Sequence, residues 1–208
     1  MKININNILN SKIILLVVGF ILTGIVGSFL NHQFQKEVWE RQAHYEIVKR
    51  QIDQAREAIE GILLHAGKRF YAMQKVFWSL ESFKIEEAKQ RWEEYSTIRD
   101  EWSIMVNNYR SKIKIFLDPK LSYELLDKDD ARSYKNKESL HALFVIAHYN
   151  LKKLLNYSGS NSQERRSIEL EALNALSELG KRIGNFSENC YKIYLDKYSY
   201  FEQKLVDG

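Results

Sequence analysis

The stretch "ESLH" sets Glu138 and His141 three residues apart. This is the Glu-x-x-His spacing with which facing helices hold a pair of iron ions. Such a site needs a second Glu-x-x-His and two further inward carboxylates. His32, His44, His65 and His148 have no Glu three positions before them, so the second half is missing. His141 and His148 are seven apart and near one helix face, where a surface metal ion could bridge them. A capping or partly buried role fits an isolated pair better.

Nucleophilic chemistry finds as little to build on. Cys190 is the one cysteine, which excludes an intrachain disulfide and a thiolate metal cluster and suits a buried, inert thiol. There is no H-E-x-x-H, no P-loop and no G-x-S-x-G. The sequence therefore offers no catalytic, cofactor-binding or metal-ligating residues, and a non-enzymatic role is expected. Charge is interspersed along the chain, 31 basic against 27 acidic residues with a net charge of +4. Binding to nucleic acid needs a basic concentration, so it is not expected either.

The elements that carry these residues are helical. One proline, Pro119, and nine glycines in 208 residues leave too little punctuation for an all-β fold. Residues 1–12 form a short tail with Lys2 and Lys12. Residues 13–30 contain no charge and span about 27 Å as a helix, close to the thickness of a bilayer core. The run exceeds the apolar part of a cleavable signal, and no A-x-A-like site follows it. It reads as an uncleaved single-pass anchor in a lipid bilayer. The flanking lysines favour a cytoplasmic N-terminus and an extracytoplasmic remainder.

Within "GFILTGIVGSF", Gly19, Thr23 and Gly27 recur at four-residue intervals, with Gly24 and Ser28 as a second small pair beside them. Small residues on one side of a membrane helix let backbones approach closely. These five positions are the expected packing face of a homo-oligomer, with a dimer the simplest form.

From residue 31 onward apolar residues take a 3-4 rhythm. Helices are predicted over about 31–80, 83–116, 137–157 and 163–205. Ser82 is the nominated cap of the second and Asn161 or Ser162 of the fourth. Pro119 ends the second helix, and a short helix near 122–126 is foreseen within the polar interruption of 117–136. Gly61 and Gly67 mark a close crossing or a bend. Two short loops and one long one give an all-α fold, an N-terminal transmembrane helix followed by an elongated antiparallel four-helix bundle occupying 31–208.

Aromatics are abundant, with 12 Tyr, 10 Phe and 4 Trp. Trp78, Trp92 and Trp102 suit core packing or, alternatively, an aromatic-lined cleft for a small ligand. In "YKIYLDKYSYF", Tyr191, Tyr194, Tyr198, Tyr200 and Phe201 cannot share one helix face. The tyrosines are expected to form an aromatic surface that meets a partner or lipid headgroups.

This layout resembles the front end of bacterial chemoreceptors, in which an N-terminal span leads into an extracytoplasmic, commonly dimeric four-helix sensor. The resemblance covers the chain as architecture and carries over no ligand residues. After the fourth helix the sequence has no second span and no signalling helix, so a message would pass through a partner membrane protein. Two functions follow as expectations: a self-associating interaction or assembly module, and a ligand-sensing bundle.

Overall fold

A computed structural model describes the backbone of residues 12–126 and 139–207, and side chains for 14–126, 139–199 and 201. The N-terminal tail, the central part of the polar interruption, Glu138 of the Glu-x-x-His pair and the Tyr200 side chain lie outside the described residues. All the described regular structure is helical: α1 (Lys12–Glu81), α2 (Ile85–Phe116), α3 (Pro119–Leu125), α4 (Leu140–Leu155) and α5 (Ser162–Asp207). The helices fall into two units, Met1–Arg50 and Gln51–Gly208.

In the first unit, α1 exposes its whole apolar run, from Leu15 to Leu30. By length and composition this segment is able to cross a membrane. Beyond it, Lys36–Glu40 and Glu37–Arg41 pair at i,i+4 on an exposed surface, and Phe34, Val38, Trp39, Tyr45 and Ile47 are also exposed.

In the second unit, α1 buries Ile52, Ala55, Ile59, Ile62, Ala66, Arg69, Met73, Val76 and Leu80, a continuous 3-4 series. The buried set of α2 is Ala88, Tyr95, Trp102, Val106, Tyr109 and Ile113, on the same spacing. Leu140, Phe144, Ala147, Leu151 and Leu154 do this for α4. Together with Ile168, Ala172, Leu176, Leu179, Phe186 and Cys190 of α5 they form the core. Cross-helix contacts fix the neighbours. Glu57 pairs with Lys112 at 2.8 Å, Arg56 donates to the Tyr194 hydroxyl at 3.0 Å, and Lys153 pairs with Glu171 at 2.9 Å.

The connections explain where the sequence-based boundaries shift. Ser82 does not cap α2; Lys84 holds that position without a side-chain cap. Instead Phe83 reverses the chain at φ 56°. Its N–H donates to the Leu80 carbonyl and that of Lys84 to Ser79, at 3.2 and 2.9 Å. These are the paired bonds of a Schellman ending, a place that normally takes glycine. Arg165 of α5 completes it, donating to the Leu80 carbonyl at 2.8 Å and lying 4.2 Å from the Phe83 ring centroid. Pro119 stops α2 and starts α3 in its first turn, where its missing N–H is harmless. Asp118 caps α3 by accepting from the Lys120 and Leu121 N–H groups. Ser139 caps α4 and Asn161 caps α5 in the same manner.

Candidate functional site

The side chain with the greatest chemical consequence is one the periodicity reading passes over. Arg69 follows Ala66 by three residues and precedes Met73 by four, so it occupies the inner face of α1. Its exposure is 2 %. The guanidinium carbon lies 4.5 Å from the Phe144 ring centroid and 5.7 Å from that of Trp102. Its Nε and Nη1 are buried and meet no acceptor. Burial lowers the Arg69 pKa, and the adjacent Tyr95 hydroxyl opposes that shift. An arginine keeps its proton even so, which leaves a buried cation enclosed by aromatic rings. Following the 3-4 grid through Ala66 to position 69 rather than to Phe70 is the sequence signal that finds it.

Around this cation α2 and α4 exchange two further polar contacts. The Trp102 indole N–H donates to Nδ1 of His141 at 3.1 Å. The Tyr95 hydroxyl lies 3.0 Å from Nδ1 of His148, and the His148 ring stacks on Trp92 at 5.0 Å. Burial first, then the Arg99, Arg69 and Lys152 charges, push the His148 pKa down to about 4. The imidazole is therefore neutral at pH 7, and the Tyr95 hydroxyl has reason to donate to it. Burial raises the Tyr95 pKa, against the Arg69 charge. Arg99 binds Asp100 at 2.7 Å. His141 and His148 thus each use Nδ1 to hold an aromatic side chain of α2, and both are half-buried.

A second histidine–tyrosine contact joins α1 to α2. His65 Nδ1 is 2.8 Å from the Gly61 carbonyl and 3.1 Å from the Tyr109 hydroxyl. Gly61 is the close crossing expected, for a Cβ there would lie 2.7 Å from the Tyr109 ring. Gly67 faces open space and marks neither a crossing nor, within the single helix α1, an interruption.

The five small residues of the apolar run all sit in α1 and are exposed. A Cβ at Gly19, Gly24 or Gly27 would touch nothing within 4 Å, and the Thr23 hydroxyl donates back to the Gly19 carbonyl at 2.7 Å. At 100° per residue, Gly19, Thr23 and Gly27 form one strip with Gly24 and Ser28 along its edge.

The aromatic surface expected on α5 needs correction. Tyr191 is exposed, but Tyr194 and Tyr198 are buried. Tyr194 accepts from Arg56. Tyr198 donates to the Phe116 carbonyl at the end of α2, and Lys197 donates to the Phe116 and Leu117 carbonyls. Each hydroxyl finds an internal partner, which is what makes a tyrosine affordable in a core. Among the tryptophans, Trp102 is core and Trp92 half-buried. Trp78 is exposed and, with Tyr71 and Lys75, borders an open cleft of about 250 Å³ between α1 and α2.

Comparison with protein families, with curated proteins and with solved structures returns no match for this chain.

Proposed function

We propose that the chain is a non-enzymatic, membrane-anchored helical module that self-associates. The observation that carries this reading is the uninterrupted exposure of the apolar run of α1. Leu16 and Phe20 are 74 % and 79 % exposed, and every residue from Leu15 to Leu30 is exposed with them. Apolar surface of that extent belongs in lipid or against another protein. Residues 51–207 then act as an antiparallel four-helix bundle. The pairing of Glu57 with Lys112, Arg56 with Tyr194, Tyr95 with His148 and Lys153 with Glu171 supports that arrangement. The N-terminus lies in the cytoplasm and the bundle outside it.

Self-association draws on two features of α1. The Gly19, Thr23, Gly27 strip with Gly24 and Ser28 allows close helix approach. The exposed Phe34, Val38 and Tyr45 continue the 3-4 spacing past the span, as a helix paired with its own copy requires. The test is oxidative crosslinking in membranes through Asn31→Cys in a Cys190→Ser background. Position 31 lies on the same side of the helix as the small residues. A crosslinked dimer is expected, and changing Gly19, Thr23 and Gly27 together to Leu removes it. Undiminished crosslinking in the triple variant refutes the small-residue face.

The Arg69 layer favours a second reading, in which the bundle senses a small ligand and passes the message to a partner membrane protein, in the manner of the chemoreceptor front ends it resembles. A buried cation with free donors is a costly element in a purely structural core.

A further inference from the structure

The open cleft between α1 and α2, about 250 Å³ in volume, combines exposed aromatic rings with charge that the chain leaves uncompensated. Trp78 and Tyr71 form one wall. Each is about half exposed, and their rings meet edge to face with centroids 6.3 Å apart. The rest of the lining is polar, and in it the cations Lys75, Lys84 and Arg91 face one carboxylate, Glu87. Glu87 already serves Lys84 at 3.5 Å and Arg91 at 2.9 Å. Lys75 has no carboxylate partner among the described residues. It is half-buried, and its ammonium lies 4.9 Å from the Tyr71 ring centroid. An aromatic face attracts this cation without neutralising it. The walls are held in place from below. Ser79 donates to the Lys75 carbonyl at 3.1 Å, and the Ser82 N–H to the Trp78 carbonyl at 3.0 Å. Walls fixed before a ligand arrives reduce the cost of binding it.

We propose that this cleft binds a sugar acid, a pyranose ring carrying one carboxylate. Charge sets the acid, because cations outnumber the carboxylate and Lys75 lacks a partner. Volume sets a single ring. Pockets for drug-sized molecules occupy about 300–1,000 Å³, and this cleft is smaller. The mixed lining selects a sugar over an aromatic acid. A pyranose lays its C–H face on the Trp78 indole, which is flat and apolar with a polar edge. Its hydroxyls supply Glu87 with a donor and Ser82 with a partner. A benzoate ring supplies neither and would desolvate Glu87 without return. The carboxylate pairs with Lys75 in a charge-assisted hydrogen bond. An adjoining recess of about 140 Å³ shares Tyr71, Lys75 and Arg91 with the cleft and leaves room for a further unit. A free acid and the acid end of a polysaccharide therefore share this chemistry. The inference gives the sensing reading a ligand class and a place, yet its test reads binding alone. A bound acid that produces no signal would sink the sensing reading only, and absent binding would leave membrane anchoring and self-association untouched.

The experiment is isothermal titration of the full chain in detergent micelles at constant ionic strength. The probes are glucuronate, galacturonate and trigalacturonate, with galactose and benzoate as controls. An acid sugar should bind about tenfold or more tightly than either control. Binding of a monosaccharide acid assigns a free ligand, and binding of the trimer alone assigns a chain end. Lys75→Gln keeps the length of the side chain and removes its charge, and it should weaken binding about tenfold. Tryptophan fluorescence gives a second readout. The acid should change the emission of the wild type, and Trp78→Tyr should remove that change. The proposal is overturned if no acid sugar binds, if galactose or benzoate binds as tightly, or if binding and the fluorescence response survive intact in Lys75→Gln and Trp78→Tyr. If Lys75→Gln does not fold, the response of Trp78→Tyr decides.

Discussion

The Arg69 guanidinium carbon lies 4.5 Å from the ring centroid of Phe144, and both side chains are buried. Contact with the ring is thus part of what holds the cation in the interior. Phe144→Leu retains most of the apolar contact but removes the quadrupole. It should cost about 1–2 kcal/mol in urea denaturation of the full chain. The same change in an Arg69→Met background should cost less. Equal costs in the two backgrounds would assign the loss to packing alone.

Arg69→Met removes the buried charge without opening a large cavity. Methionine fills an irregular core space and leaves no buried charge. The variant should be as stable as the wild type or about 1–3 kcal/mol more stable in urea denaturation, by analogy with buried charges replaced by apolar residues. Arg69→Ala, which also opens a cavity, should instead lower stability by about 2–4 kcal/mol. A large loss in Arg69→Met would mean that the cation contributes net stability.

The imidazole of His148 supplies a pH dependence. Its folded pKa is about 4 against an ordinary 6.5, so between these values the unfolded chain binds the proton that the folded chain refuses. Stability from this group is complete above pH 6.5, falls as the pH drops toward 4, and changes no further below that. After discounting for the partial exposure of the ring, the loss is about 2 kcal/mol. The difference in midpoint between wild type and His148→Gln, measured from pH 7.5 to 3.5, isolates it. A difference that does not change with pH would remove His148 from the account.

The fold was legible where one periodicity governed. The seams of α2, α4 and α5 follow from 3-4 spacing because their buried residues are nearly all apolar. Arg69 was not legible because its type argues against burial. Only its place between Ala66 and Met73 argues for it, and Phe70 offers an apolar alternative one step away. Tyr194 and Tyr198 misled for the opposite reason. A tyrosine serves equally at a wet surface and in a core, and the partners that decide, Arg56 and the Phe116 carbonyl, are far off in sequence. The turn at Phe83 was hidden because a phenylalanine stands where glycine usually signals the reversal. The role of Ser139 as a cap is readable, since a serine immediately precedes an apolar run. The exposed apolar run of α1, long enough to cross a membrane, was legible from composition alone.

Gly61 and Gly67, six residues apart on α1, should respond oppositely to alanine. At Gly67 an added methyl meets open space, and the substitution should stabilise the helix by about 0.5–1 kcal/mol. At Gly61 the methyl meets the Tyr109 ring at 2.7 Å. Tyr109 must then shift away from His65, and the propensity gain is outweighed by about 1–3 kcal/mol of overpacking. Thermal midpoints of the two variants check this directly. A stabilising Gly61→Ala would show that α1 and α2 separate easily at this level.

Cys190 provides the control for determining which side of the membrane the proposed bundle occupies. Its side chain is fully buried. Burial first, then the nearby Glu124 charge, push its pKa up to about 12. The thiolate is the reactive species, so the native chain should resist maleimide at neutral pH and take up one equivalent only after denaturation. Cys190→Ser combined with Ser160→Cys then places a single reactive thiol in the exposed turn before α5. The proposed orientation requires that a membrane-impermeant maleimide label this thiol in intact cells. Labelling that appears only after permeabilisation would place the bundle in the cytoplasm. It would also exclude the extracytoplasmic sensor, because the turn cannot lie outside the cell and remain shielded from the reagent.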